Sequence, residues 1–125
     1  MLNLILWLLQ ILLALAFLAH GWMFPFPPAN LVVQLNAIAP GLRLFIGVAE
    51  VLAAIGLTVP GLTRRSPWLV PWAAAGLATV MISATGFHLM RGETSSALIT
   101  AVLLALTLFV AYMRWKVMPI QPLMA

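Results

Sequence analysis

The chain has 125 residues, of which 65% are hydrophobic and 6% are charged, with a net charge of +4 and a mean hydropathy of +1.16. Soluble domains have about 45–50% apolar and about 25% charged residues, so this composition excludes an ordinary soluble fold and indicates a membrane protein. The basic residues are scattered along the chain, which argues against nucleic acid as a partner. The lack of cysteine excludes disulfides and thiol redox chemistry, and we predict no metal site.

Four apolar segments have the length of a membrane-spanning helix, which needs about 17–25 residues. The first has no basic residue before its apolar run and no small-residue cleavage site after it, so we expect a retained helix and not a signal peptide. The four segments and their connectors predict one membrane domain over residues 1–125. The predicted fold class is all-α, an integral membrane antiparallel four-helix bundle with helices at about 2–23, 42–59, 68–90 and 97–115.

Prolines and short polar residues mark the ends of these helices. Pro25 and Pro28 are predicted to end the first helix, because proline lacks the amide donor and clashes with the preceding turn. For the same reason Pro60 is predicted to end the second helix. Ser95 or Ser96 is the expected N-cap of the fourth helix, since a serine hydroxyl accepts from the free amides of the first turn.

Four of the six basic residues lie at the end of the predicted bundle that holds both termini: Arg64, Arg65, Arg114 and Lys116. The other two, Arg43 and Arg91, lie at the opposite end. The positive-inside rule therefore predicts a multi-pass protein with both termini in the cytoplasm. We interpret the four basic residues near the termini as determinants of this topology.

Glu50 is the most informative single residue, because it lies near the centre of the apolar segment 42–59. A charged residue at that depth is costly and by default marks a binding, proton-handling or ion-handling site with a partner. Arg43 lies on the same helix face, about 10 Å away at about 1.5 Å per residue. The arginine side chain is long enough to cover part of that distance.

Three further polar residues are predicted near this acid. His20 and His88 fall at the same end of the bundle as Arg43, and Gln10 is expected at a depth similar to that of Glu50. These positions predict a ligand-binding pocket that opens toward the outer leaflet and ends at Glu50. A structural interpretation stands beside this one, in which Glu50 only hydrogen-bonds its neighbours and the basic side chains extend to the headgroups.

Two sequence elements resemble the DoxX-like family of small four-helix membrane proteins. The first is Gly47-Val48-Ala49-Glu50 with the Gly56-Leu57 and Pro60 that follow, and the second is His88-Leu89-Met90-Arg91-Gly92-Glu93. The resemblance extends over roughly Leu9 to Trp115. It implies a four-helix bundle in a bacterial cell inner membrane, with Glu50, His88 and Arg91 as motif positions. Arg91 thereby joins the candidate ligand-binding residues.

The resemblance also implies a role, because relatives include small subunits of a thiosulfate:quinone oxidoreductase and partners in oxidative-stress complexes. The first hypothesis is an accessory subunit of a membrane redox complex that binds a quinone-like or other amphipathic molecule and exchanges protons with it. The second is a non-enzymatic binding, transport or chaperone-like module in which Glu50 and Arg43 recognise a small ligand or a partner helix. A b-type haem held by His20 and His88 is a minor alternative, and a purely structural module is another. The expected partners are the lipid bilayer and a partner membrane subunit or a second copy of the chain.

Overall fold

The computed structural model describes residues 1–123, and every regular element in that range is helical. The four long helices are α1 (Leu2–Met23), α3 (Pro40–Thr63), α4 (Leu69–Met90) and α5 (Thr94–Tyr112), and the loop after α1 contains the short helix α2 (Val32–Leu35). A π-helical turn, Met113–Val117, extends α5. All four long helices are long and apolar enough to cross a membrane. The predicted all-α four-helix membrane fold is therefore confirmed.

Each long helix packs against the next one along the chain, and a smaller contact between α1 and α5 closes the bundle. Successive long helices run in opposite directions, so both termini and the α3–α4 connection lie at one end, which we call the terminal end. The opposite end, with the α1–α3 loop and the α4–α5 turn, is called the loop end. The core consists of mid-helix side chains from all four long helices: Leu13, Ala14, Phe17, Ala54, Leu57, Ala74, Leu77, Met81 and Val110.

Two predicted helix boundaries were wrong. Helix α3 continues through Pro60 to Thr63 and ends where Arg64 adopts a left-handed conformation with φ of 55°. Pro60 has no amide hydrogen to donate to the Gly56 carbonyl oxygen, so α3 continues through its last turn with one backbone hydrogen bond fewer. Helix α5 begins at Thr94, directly after Glu93, and so starts before either serine that was predicted to cap it.

Helices α1 and α3 approach each other closely where two glycines meet. A Cβ atom added to Gly47 would lie 2.7 Å from the carbonyl oxygen of Gly21, and one added to Gly21 would lie 2.9 Å from the carbonyl oxygen of Gly47. Small residues at such a crossing permit backbone contact between membrane helices. The crossing also places Glu50 directly against α1, since its Cβ is 3.0 Å from the Cβ position of Gly21.

The segment after the π-helical turn folds back across the end of α3. The Leu123 amide donates to the Arg64 carbonyl oxygen at 3.0 Å, and the Arg64 Nε donates to the Gln121 carbonyl oxygen at 2.8 Å. Gly61 faces this segment and the Trp7 ring, with no room for a Cβ atom. The terminal end of the bundle is therefore covered by residues 118–123.

Candidate functional site

Glu50 is completely buried and pairs with His20 of α1. The Nδ1 atom of His20 lies 2.8 Å from Oε2 of Glu50, within hydrogen-bond distance. His20 was predicted near the loop end, and the structure shows it as the direct partner of this acid. The two side chains meet because the Gly21–Gly47 crossing brings the backbones of α1 and α3 together one residue away from His20.

The His20 side chain is 48% exposed although its partner is buried. With Glu50 ionised, the Nδ1–H of His20 donates to the carboxylate, and this fixes the tautomer in which Nε2 is an acceptor. The Phe24 ring packs edge-on against the imidazole, with the ring centroids 5.0 Å apart. The Glu50–His20 pair thus presents an oriented imidazole with one nitrogen available to a ligand.

The second carboxylate oxygen of Glu50 is also buried, and Oε1 has no hydrogen-bond partner among residues 1–123. A buried polar atom without a partner costs about 1–3 kcal/mol, and more when it is charged. Native structures usually satisfy such atoms, and exceptions concentrate where a proton, an ion or a ligand is exchanged. A proton, a water molecule or a ligand polar group at Oε1 would complete the hydrogen bonding of this carboxylate.

Arg43 does not pair with Glu50. Its Nη1 donates to Oδ1 of Asn36 at 3.5 Å, and its buried Nε has no partner among the described residues. The two residues share a face of α3 as expected, with Arg43 about two turns closer to the loop end. Arg43 therefore lies about two turns of α3 from Glu50, on the loop-end side, and not beside the carboxylate.

His88 and Arg91 belong to a separate group in the α4–α5 turn. His88 Nδ1 lies 3.0 Å from Oε1 of Glu93, and Arg91 Nε lies 3.4 Å from the same oxygen. The hydrogen bond with His88 is the main reason why the pKa of Glu93 lies below its ordinary value. Gly92 makes the turn possible with φ of 71°. The charged residues of the second family-like element, residues 88–93, therefore pair with one another and not with Glu50.

Gln10 lies farther from Glu50 than the sequence suggested. Its Nε2 donates to the carbonyl oxygen of Leu57 at 2.7 Å, which places Gln10 opposite a residue two turns beyond Glu50 toward the terminal end. The expectation of similar depth was wrong because it was counted from the helix ends. In the structure the register of α1 against α3 is set by the Gly21–Gly47 crossing.

The residue that sequence reasoning missed is Arg114, which is only 2% exposed. Its Nε donates to Oε1 of Gln10 at 2.6 Å, and its Nη1 donates to Oδ1 of Asn3 at 2.8 Å and to the Met118 carbonyl oxygen at 3.0 Å. The guanidinium also lies 5.5 Å from the centre of the Trp7 ring. The sequence does contain an indication of this contact, because Asn3 and Gln10 lie on one face of α1 and two buried polar side chains need a polar partner.

Two cavities occur away from Glu50. One of about 330 Å³ lies at the terminal end, and its walls include Asn3, Trp7 and Arg64. The other is an apolar groove of about 190 Å³ between α1 and α3 that includes Leu18. Two residues of α-helix turn about 200°, so His20 and Leu18 face different sides of α1. A pocket around Glu50 stays a prediction.

Comparison with known proteins places the chain in a family. The model of the DoxX-like family matches residues 8–110, a range that reaches from α1 to α5 and includes both Glu50 and the His88–Arg91 turn. No curated protein and no solved structure matches the chain. With a membrane-type four-helix bundle and a family match over most of its length, the chain belongs to the DoxX-like family.

Proposed function

We propose that this protein is an accessory subunit of a membrane redox complex and binds the polar head of a quinone-like amphipathic molecule at the Glu50–His20 pair. The observation that supports the proposal most is a completely buried carboxylate held 2.8 Å from a half-exposed imidazole. Arg43, about two turns closer to the loop end on the same helix face, belongs to the proposed site as a second donor. His88, Arg91 and Gln10 are left outside it, because they lie in other hydrogen-bonded groups.

The pair has the chemistry that a quinone head requires. A quinone carbonyl needs a donor, which the protonated Nε2 of His20 provides, and a quinol hydroxyl needs an acceptor, which the neutral Nε2 provides. The Glu50 carboxylate lies 2.8 Å from Nδ1 and supplies the counter-charge when the imidazole carries two protons. The chain has no cysteine and so no thiol redox couple; in this proposal a partner subunit carries the electrons, and this chain supplies binding and proton exchange.

The location of His20 is consistent with entry from the bilayer. Its imidazole is half exposed, and the residues one and two turns before it on the same side of α1, Ala16 and Leu12, are apolar and exposed. The apolar groove lies on a different side of α1, so it does not receive the tail of a molecule bound at His20. The tail is instead expected to stay among lipid chains along the bundle surface.

We also propose a bacterial cell inner membrane location with both termini in the cytoplasm. Arg64, Arg65, Arg114 and Lys116 all lie at the terminal end, as the positive-inside rule requires. Reporter fusions at either terminus should show cytoplasmic activity, and a reporter in the 24–39 loop should show periplasmic activity. Opposite labelling would reverse the orientation and place the Glu50–His20 pair on the cytoplasmic side.

Quinone binding is tested with purified protein in lipid nanodiscs and a short-chain benzoquinone, by equilibrium dialysis. We expect His20→Gln and Glu50→Gln each to weaken binding by about 10- to 100-fold, because a hydrogen bond to a charged group contributes about 1.5–3 kcal/mol. His88→Gln is the matched control, since His88 also pairs through Nδ1 with a glutamate but lies in the α4–α5 turn. Its affinity should equal that of the parent.

The possible results separate the hypotheses. Unchanged binding in His20→Gln, or an equal loss in His20→Gln and His88→Gln with helical content preserved, would reject the site. Absence of quinone binding together with Glu50-dependent capture of a partner subunit would favour the non-enzymatic binding module. A Soret band in the purified protein that disappears in His20→Ala would show that the ligand is haem and not a quinone.

A further inference from the structure

The guanidinium of Arg114 is buried at the terminal end without an acidic side chain near it. Its hydrogen-bond acceptors are the neutral oxygens of Gln10, Asn3 and Met118, and its Nη2 has no partner among residues 1–123. The sequence contains only two acidic residues, and both Glu50 and Glu93 are paired with histidines toward the loop end. A buried cation without a counter-charge is costly, so an anion at this end would be stabilising.

The cavity of about 330 Å³ lies beside this cation. Three residues that contact Arg114 form part of its wall, namely Asn3, Met118 and Trp7. Arg64 also lines the cavity, and its guanidinium is held by the carbonyl oxygens of Gln121 and Pro122. The cavity therefore has one arginine in its wall, and a second arginine contacts three of its wall residues.

These features fit a ligand with negatively charged oxygens. Guanidinium groups bind phosphate through charge-assisted hydrogen bonds, and a volume of about 300 Å³ or more suits a small ligand or headgroup. The terminal end also lies where basic pockets between membrane helices meet lipid headgroups. We propose that the cavity between α1, the end of α3 and residues 118–123 binds a phosphate oxyanion, from an anionic phospholipid or from soluble phosphate.

This inference does not depend on the function proposed for Glu50 and His20. It is tested by native mass spectrometry of the full-length protein from nanodiscs that contain phosphatidylglycerol and phosphatidylcholine. We expect one phosphatidylglycerol to be retained in preference to phosphatidylcholine, and Arg64→Gln to reduce that retention about tenfold or more. A parallel titration in detergent with inorganic phosphate measures the shift in melting temperature and tests the soluble source.

Arg65→Gln is the matched control, because Arg65 is adjacent, equally charged and exposed, and is not part of the cavity wall. It should leave retention unchanged, whereas Arg64→Lys should keep part of it by preserving the charge. Stabilisation by inorganic phosphate without lipid retention would support the same site with a soluble ligand. Equal losses in Arg64→Gln and Arg65→Gln would show general surface attraction and overturn the proposal, as would a failure of both ligands to bind.

Discussion

Arg114→Ala is expected to destabilise the bundle by about 2–4 kcal/mol, the largest effect of any basic residue in the chain. The substitution leaves the buried Oε1 of Gln10 without its donor. It also breaks a chain of hydrogen bonds that joins Arg114, at the end of α5, to Gln10 of α1 and through it to Leu57 of α3. Each buried polar atom that loses its partner costs about 1–3 kcal/mol, and the emptied space adds to that cost. Thermal unfolding in detergent, monitored by circular dichroism, measures this change in stability.

Lys116→Ala is the control for this experiment. Lys116 lies two residues away in the same π-helical turn, but it is exposed and its ammonium only rests over the Trp115 ring at 4.6 Å. Surface substitutions of this kind usually change stability by less than about 0.5 kcal/mol. If Arg114→Ala and Lys116→Ala unfold at the same temperature, the hydrogen bonds of Arg114 do not contribute to stability. Arg114 is then a topology determinant only.

Gly47→Ala is expected to separate α1 from α3 and to weaken ligand binding at Glu50 as a consequence. Its added methyl group would lie 2.7 Å from the Gly21 carbonyl oxygen, a backbone atom that moves only with the whole helix. Overpacking of this kind costs about 1–3 kcal/mol. Because His20 and Glu50 meet at this crossing, a small separation lengthens their 2.8 Å contact. Unfolding and quinone affinity should both be measured on the same preparation.

Gly76→Ala is the matched control, since Gly76 lies inside α4 and a Cβ atom there meets no atom within 4 Å. Alanine is the better helix former by about 0.8–1 kcal/mol, so this variant should be as stable as the parent or slightly more stable. Wild-type stability and binding in Gly47→Ala would contradict the close crossing of α1 and α3.

The helices and their antiparallel order could be predicted from the sequence because both follow from segment length and composition. Apolar runs of membrane-spanning length with short connectors leave few other arrangements. The ends of the helices could not be read as well, because Pro60 is tolerated in a last turn and the cap of α5 is Glu93. Whether the loss of one backbone hydrogen bond ends a helix depends on the packing around it, which the sequence alone does not give.

The candidate site could be predicted only in part. Glu50 stood out because a carboxylate in an apolar segment is rare, but its partner depends on the register between α1 and α3. Counting depth from helix ends placed Gln10 level with Glu50, whereas the glycine crossing brings His20 to it. Arg114 was missed because basic residues after a last span usually mark topology, and composition does not show that this one folds inward.

The uneven distribution of charge along the bundle has an electrical consequence. Glu50 and Glu93 offset Arg43 and Arg91 at the loop end, so the net charge of +4 resides at the terminal end. A membrane potential acts on each charge with about 2.3 kcal/mol per 100 mV, so about 9 kcal/mol opposes reversal of the proposed orientation at about 100 mV. The loop end carries no net formal charge, so the same potential barely acts on it.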